Sequence, residues 1–87
     1  MITAFAASID GINPDIKTIM PHPRGAMVNW LALNGYLIAD GISDEAIKML
    51  FCKVSHKLLE DDFNLNILEV QITVVGEADI SGVISDD

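Results

Sequence analysis

The segment Ser43–Leu59, SDEAIKMLFCKVSHKLL, carries the clearest structural signal in this sequence. Ser43 is a good N-cap, and Asp44 and Glu45 place negative charge at the positive end of a helix dipole. Apolar residues then recur at helical spacing and mark the face that packs in the core: Ile47, Leu50, Phe51, Val54 and Leu58. We therefore predict a helix from Ser43 onwards with one buried face.

The opposite side of this helix has a second, weaker apolar stripe. It contains Met49, Cys52, His56 and Leu59. A helix with two apolar sides in so small a chain indicates a contact surface. We expect a homodimer, with an interface that contains Trp30, Met49, Cys52 and Leu59.

The preceding segment, residues 24–40, predicts a second helix that is apolar nearly all round. Pro23 suits its first position, and Gly41 suits a C-terminal stop. Two alternatives stay open, because Asn34-Gly35 is a strong hairpin turn signal and is equally a helix end with Gly35 as the left-handed cap.

Strand patterns lie on both sides of the helices. Residues 2–9 are rich in strand-compatible types, and in Leu65–Val75 the apolar residues alternate with polar ones. The apolar set, predicted to be buried, is Leu68, Val70, Ile72 and Val74. Residues 16–20 are a possible further strand. The order predicts an α+β fold, β(β)ααβ, with an antiparallel helical hairpin on one face of a small sheet.

The composition limits the function classes. The chain has 87 residues, 13 acidic against 5 basic side chains, a formal charge of −8 and 51% hydrophobic residues. We expect one domain over residues 1–87, with residues 77–87 as an acidic tail that either adds a weak edge strand or is mobile. So few basic residues argue against direct nucleic-acid binding, since phosphate contacts need Lys and Arg. The apolar content is too high for a disordered chain.

The compartment prediction rests on the single cysteine. Cys52 has no partner within the sequence for a disulfide, which favours a reducing, cytoplasmic location. The first ten residues lack the basic region of a signal peptide, and no apolar run reaches the roughly 20 residues of a membrane span. We expect no membrane association.

Candidate chemistry is sparse. Met49, Cys52 and His56 share a helix face, but a structural zinc site needs four ligands in paired spacings. The Cys52 and His56 pair lacks a third orienting group and an oxyanion-hole motif. The glycines are scattered, so no phosphate-binding loop is predicted. We expect no catalytic residues, no metal site and no cofactor.

The stretch Gly41–Ile47, GISDEAI, resembles the opening of the helix-turn-helix of LuxR-type response regulators. That resemblance implies a small dimeric transcription regulator using Ser43–Leu58. The pattern departs from the family where a recognition helix should follow, because Glu60-Asp61-Asp62 stand there and carboxylates repel phosphates. A generic helix start accounts for the same residues, and we favour it.

Acidic residues form two groups at the ends of the helix predicted from Ser43 onwards. They are Asp40, Asp44 and Glu45 at its start and Glu60, Asp61 and Asp62 at its end. The second group opposes the helix dipole. We expect these residues to dock on a basic protein surface that handles nucleic acid, as a small inhibitor or adaptor of the kind that mobile genetic elements encode would do by nucleic-acid mimicry. The alternative is plain solubility.

Overall fold

The computed structural model describes residues 1–82 and has an α+β fold, as the sequence predicts. Two antiparallel strands form an open sheet, and two helices lie between them in the chain. In chain order the elements are β1 (Ile2–Ser8), α1 (Pro23–Leu33), α2 (Asp44–Leu59) and β2 (Asn66–Ile72). Part of the predicted acidic tail, residues 83–87, lies outside the described residues. None of the helices within residues 1–82 is long and apolar enough to cross a membrane.

Helix α2 begins as its sequence predicts. The Ser43 side chain accepts a hydrogen bond from the backbone N–H of Ala46 at 3.1 Å, which satisfies one of the free donors of the first turn. Ile47, Phe51 and Val54 are buried on the predicted face. Leu50 and Leu58 pack at its margin and are half-buried.

Helix α1 ends at Leu33 and does not continue to Asp40. The Asn34 side-chain amide donates to the carbonyl of Trp30 at 2.8 Å, and Gly35 follows with a φ of +89°. A left-handed residue directly after the last turn stops a helix, and glycine adopts it without steric strain. Of the alternatives left open by the sequence, the early stop at Asn34 is therefore correct.

The strands pair in a register that runs from Ile2 opposite Ile72 to Ser8 opposite Asn66. The possible strand at residues 16–20 is wrong: Ile16–Thr18 is a short 3₁₀ helix, and Met20 makes a single bridge to Phe5. The cause is local, because the carboxylate of Asp15 caps this turn by accepting from the N–H of Lys17.

The core lies between the two helices and extends to the sheet through α1, which contacts both strands. Its buried members are Ala7, Trp30, Leu31, Ile47, Phe51, Val54 and Leu65. The rings of Trp30 and Phe51 meet edge to face, with centroids 6.0 Å apart and planes at 80°. This geometry aligns the positive edge of one ring with the negative face of the other. It joins α1 to α2.

The face of β2 predicted to be buried is only partly buried, and the other face does not replace it, since Glu69 and Gln71 on that side are exposed. Ile67 packs against the core, next to its partner Ala7, whereas Leu68 and Val70 are half-buried on the opposite face. The strand stops at Ile72, and Val74 is 78% exposed. Alternation identifies the two faces of a strand, but how deeply each face is buried depends on what packs against it.

We expect Phe51→Ala to lower the free energy of unfolding by about 3 to 5 kcal/mol, because truncation removes the contact with Trp30 and leaves a cavity. Thermal or urea denaturation measures the change. Met49→Ala is the matched control on the same helix, since Met49 is 62% exposed. Equal losses in the two variants would contradict the assignment of the buried face.

Candidate acidic docking surface

The C-terminal end of α2 carries the three adjacent carboxylates of Glu60, Asp61 and Asp62, all exposed. The chain reverses there through two hydrogen bonds. The N–H of Phe63 donates to the carbonyl of Leu58, and that of Asp62 to the carbonyl of Leu59, each at 3.1 Å. This pair of bonds is the Schellman pattern of a helix end.

Asp62 occupies the left-handed position of that turn, with a φ of +64°. Glycine is the usual residue there, because a β-carbon is strained at positive φ. Aspartate tolerates the position better than most residues, but its charge lies at the negative end of the helix dipole. The sequence thus places an acidic residue where both backbone and dipole are unfavourable.

The acidic group at the start of α2, which contains Asp44, behaves differently. The carboxylate of Asp44 forms an ion pair with the Nε of Arg24, whose Nη2 also donates to the carbonyl of Ile42 at 3.3 Å. This contact ties the start of α2 to the start of α1. Within residues 1–82 no other ion pair forms, and the side chains of the remaining five predicted docking residues make no hydrogen bond.

Helix α2 keeps the two groups apart. It has 16 residues, and at about 1.5 Å per residue its ends are roughly 24 Å from each other. Three exposed lysines, Lys48, Lys53 and Lys57, lie between the ends. The structure therefore does not bring the six predicted residues together into one acidic face.

Other carboxylates serve the protein's own loops. The backbone N–H groups of Asn13 and Ile12 donate to Asp10, which holds the pKa of that carboxyl well below its usual range. At Asp79 the hydroxyl and backbone N–H of Ser81 lower the pKa in the same way. The contrast separates structural carboxylates from the unengaged ones at the end of α2.

The predicted dimer residues fall into two sets. Trp30 is buried in the chain's own core, so it is not available to a partner. Met49, Cys52 and Leu59 are all exposed on the outer side of α2. The weaker apolar stripe of the sequence is thus an open helix face.

Cys52 and His56 are both exposed on that face. Among the described residues, no three His, Cys, Asp or Glu side chains come close enough to hold a metal ion.

A cavity of about 570 Å³ lies at the start of α1, a site that the sequence did not suggest. Its lining is Met20, Pro21, His22, Pro23, Arg24, Gly25 and Asp44. The run of prolines around His22 is the only sequence signal that could have indicated an irregular wall there.

Comparison with protein-family models, with curated proteins and with solved structures found no match to this chain.

We expect Asp62→Gly to raise the free energy of unfolding by up to about 1 kcal/mol, because it relieves the left-handed strain and removes a charge that opposes the dipole. Glu60→Gly is the matched control. It removes a neighbouring charge, but Glu60 has right-handed helical angles, so glycine there is destabilising. Denaturation curves of the two variants should shift in opposite directions, and a loss of stability in Asp62→Gly would contradict the assignment of strain.

Cys52→Ser should leave the melting temperature nearly unchanged, since the thiol is exposed and outside the core. Melting curves with zinc and with a chelator provide the check. A melting temperature of the wild type that rises with zinc and falls with chelator would contradict the prediction and assign Cys52 and His56 to a metal site.

Proposed function

We propose that this protein is a small acidic interaction protein without catalytic activity, an inhibitor or adaptor that docks on a basic surface of a nucleic-acid-handling protein. The observation that supports it is the end of α2, where Glu60, Asp61 and Asp62 are exposed and no described side chain neutralises them. Their position opposes the helix dipole, and Asp62 also strains the backbone.

A solubilising role explains the acidic composition but not this placement. Carboxylates could lie on any exposed position with the same effect on solubility. A basic partner would gain electrostatic attraction from three adjacent carboxylates. Within residues 1–82 these carboxylates are in no ion pair that would have to break first. The placement therefore favours binding over solubility.

Docking centres on the end of α2. At the other end Asp44 is engaged by Arg24, and three lysines separate the groups. Nucleic-acid mimicry is thus limited to a short run of charge, which suits a local basic groove rather than an extended one. Small size and acidity also support the assignment to the class of inhibitors that mobile genetic elements encode.

Two further proposals accompany this function. The lone thiol of Cys52 supports a cytoplasmic location. Exposed large apolar side chains such as Met49, Leu59 and Val75 support a homodimer, because monomers rarely leave so much apolar surface open.

The helix-turn-helix alternative gains no support from the geometry. The connection from α1 to α2 spans residues 34–43, longer than the three or four residues of that motif. After α2 the chain enters β2, and residues 60–82 contain no further helix. A direct test of duplex binding separates the two functions.

A partner is first isolated by co-purification with the tagged wild-type protein. We expect the triple variant Glu60→Gln, Asp61→Asn, Asp62→Asn to bind it more weakly, mainly through slower association, and with less dependence on salt. Surface plasmon resonance at several ionic strengths measures this. The matched control is Glu77→Gln, Asp86→Asn, Asp87→Asn, which removes the same number of charges elsewhere in the sequence and should retain binding.

Two results would contradict the proposal. One is unchanged affinity in the triple variant, which would mean that these carboxylates serve only to keep the protein soluble. The other is specific, sub-micromolar binding of duplex DNA by the isolated protein, which would restore the transcription regulator, although five basic residues provide few phosphate contacts.

A further inference from the structure

Strand β2 leaves one edge of the sheet open. The N–H and the carbonyl of Phe5 both bond to Met20, so they point away from β2. In an antiparallel ladder, the residue directly opposite then points its own N–H and carbonyl away from β1, towards the outer edge of β2. Glu69 is opposite Phe5, and by alternation Ile67 and Gln71 share its orientation. None of these three residues has a hydrogen-bond partner for these groups among residues 1–82.

The other edge of the sheet is largely covered. Along β1, Met20 bonds to Phe5, the hydroxyl of Thr18 accepts from the N–H of Ala7 at 2.7 Å, and the N–H of Asp15 donates to the carbonyl of Ala7 at 2.7 Å. The loop before α1 thus occupies the outward backbone groups of Phe5 and Ala7, and within residues 1–82 only Thr3, at the start of this strand, has outward groups without a partner. The edge of β2, with three consecutive outward residues unpaired, is the longer open edge and is a site for adding a further strand.

The sequence of β2 lacks the features that protect exposed edges. Lysine, proline and glycine are absent from Asn66–Ile72, and Glu69 is its one charge. We infer that this edge pairs with the same edge of a second copy of the chain, in antiparallel orientation, to form a four-stranded sheet across a two-fold axis. The inference rests on the proposed dimer but assigns it a surface other than the outer face of α2.

Self-complementarity identifies the occupant and the register. With Val70 at the two-fold axis, Leu68 lies opposite the second copy's Ile72, and Glu69 lies opposite its Gln71. Apolar residues then face apolar residues, and the carboxylate faces a neutral amide that can donate to it. With Glu69 on the axis, two carboxylates would lie directly opposite each other, which is unfavourable.

Charge distinguishes this contact from docking on a basic partner. Each chain has a net charge of −8, so two copies repel at long range and salt should strengthen the dimer. Docking of Glu60–Asp62 on a basic surface weakens with salt. The two proposals can therefore fail separately.

Charge variants at Gln71 test the register by sedimentation equilibrium. Gln71→Glu faces Glu69 twice across the axis and should weaken the dimer roughly 3- to 10-fold, whereas Gln71→Lys should strengthen it by a similar factor. Combining Glu69→Lys with Gln71→Glu places a lysine opposite a glutamate again, in reversed order, and should therefore strengthen the dimer by about the same factor as Gln71→Lys. Both side chains are exposed, so the melting temperature serves as the control for folding.

A cross-link provides the second test. Opposite residues at Val70 are a non-hydrogen-bonded pair with Cα atoms about 4.5 Å apart, within the range of a disulfide. Val70→Cys with Cys52→Ser should form a covalent dimer on oxidation, and Met49→Cys with Cys52→Ser should not. A monomer at all micromolar concentrations, a change in the same direction in both Gln71 variants, or cross-linking through Met49→Cys alone overturns the inference.

Discussion

The edge-to-face contact of Trp30 with Phe51 is the interaction on which the rest of the fold depends. A two-stranded sheet is marginal by itself, and it is stable only when apolar surface from helices covers it. Trp30 comes from α1 and Phe51 from α2, so their contact fixes the helices to each other. Ile47 and Leu65 then complete the core beside the sheet.

The elements with strong local signals could be predicted from the sequence. Helix α2 has a cap at Ser43 and a clear apolar period, and β2 alternates, so both are found where expected. The bridge between Met20 and Phe5 could not be predicted, because it is a tertiary interaction, although the turn that Asp15 caps just before it is local. The end of α1 was ambiguous, since Asn34-Gly35 suits both a helix stop and a hairpin turn.

The candidate sites show the same division between local and tertiary information. The acidic run at residues 60–62 is evident in the sequence, and so is its conflict with the helix dipole. The strain at Asp62 and the engagement of Asp44 by Arg24 depend on the conformation of the turn and on the contact between the helices. The free edge of β2 requires knowledge of which backbone groups β1 already uses, and no residue type encodes that.

The pairing of Ile2 with Ile72 makes the sheet a contact between residues seventy positions apart in the chain. Closing so long a loop has a large entropic cost, which local helix formation does not have. Helices α1 and α2 can therefore associate early, while β1 must wait until the ribosome has released β2. Until then β1 is a seven-residue, alanine-rich strand without its neighbour, and its apolar side chains are open to water or to a chaperone. Synthesis thus exposes the segment that the finished protein buries most completely.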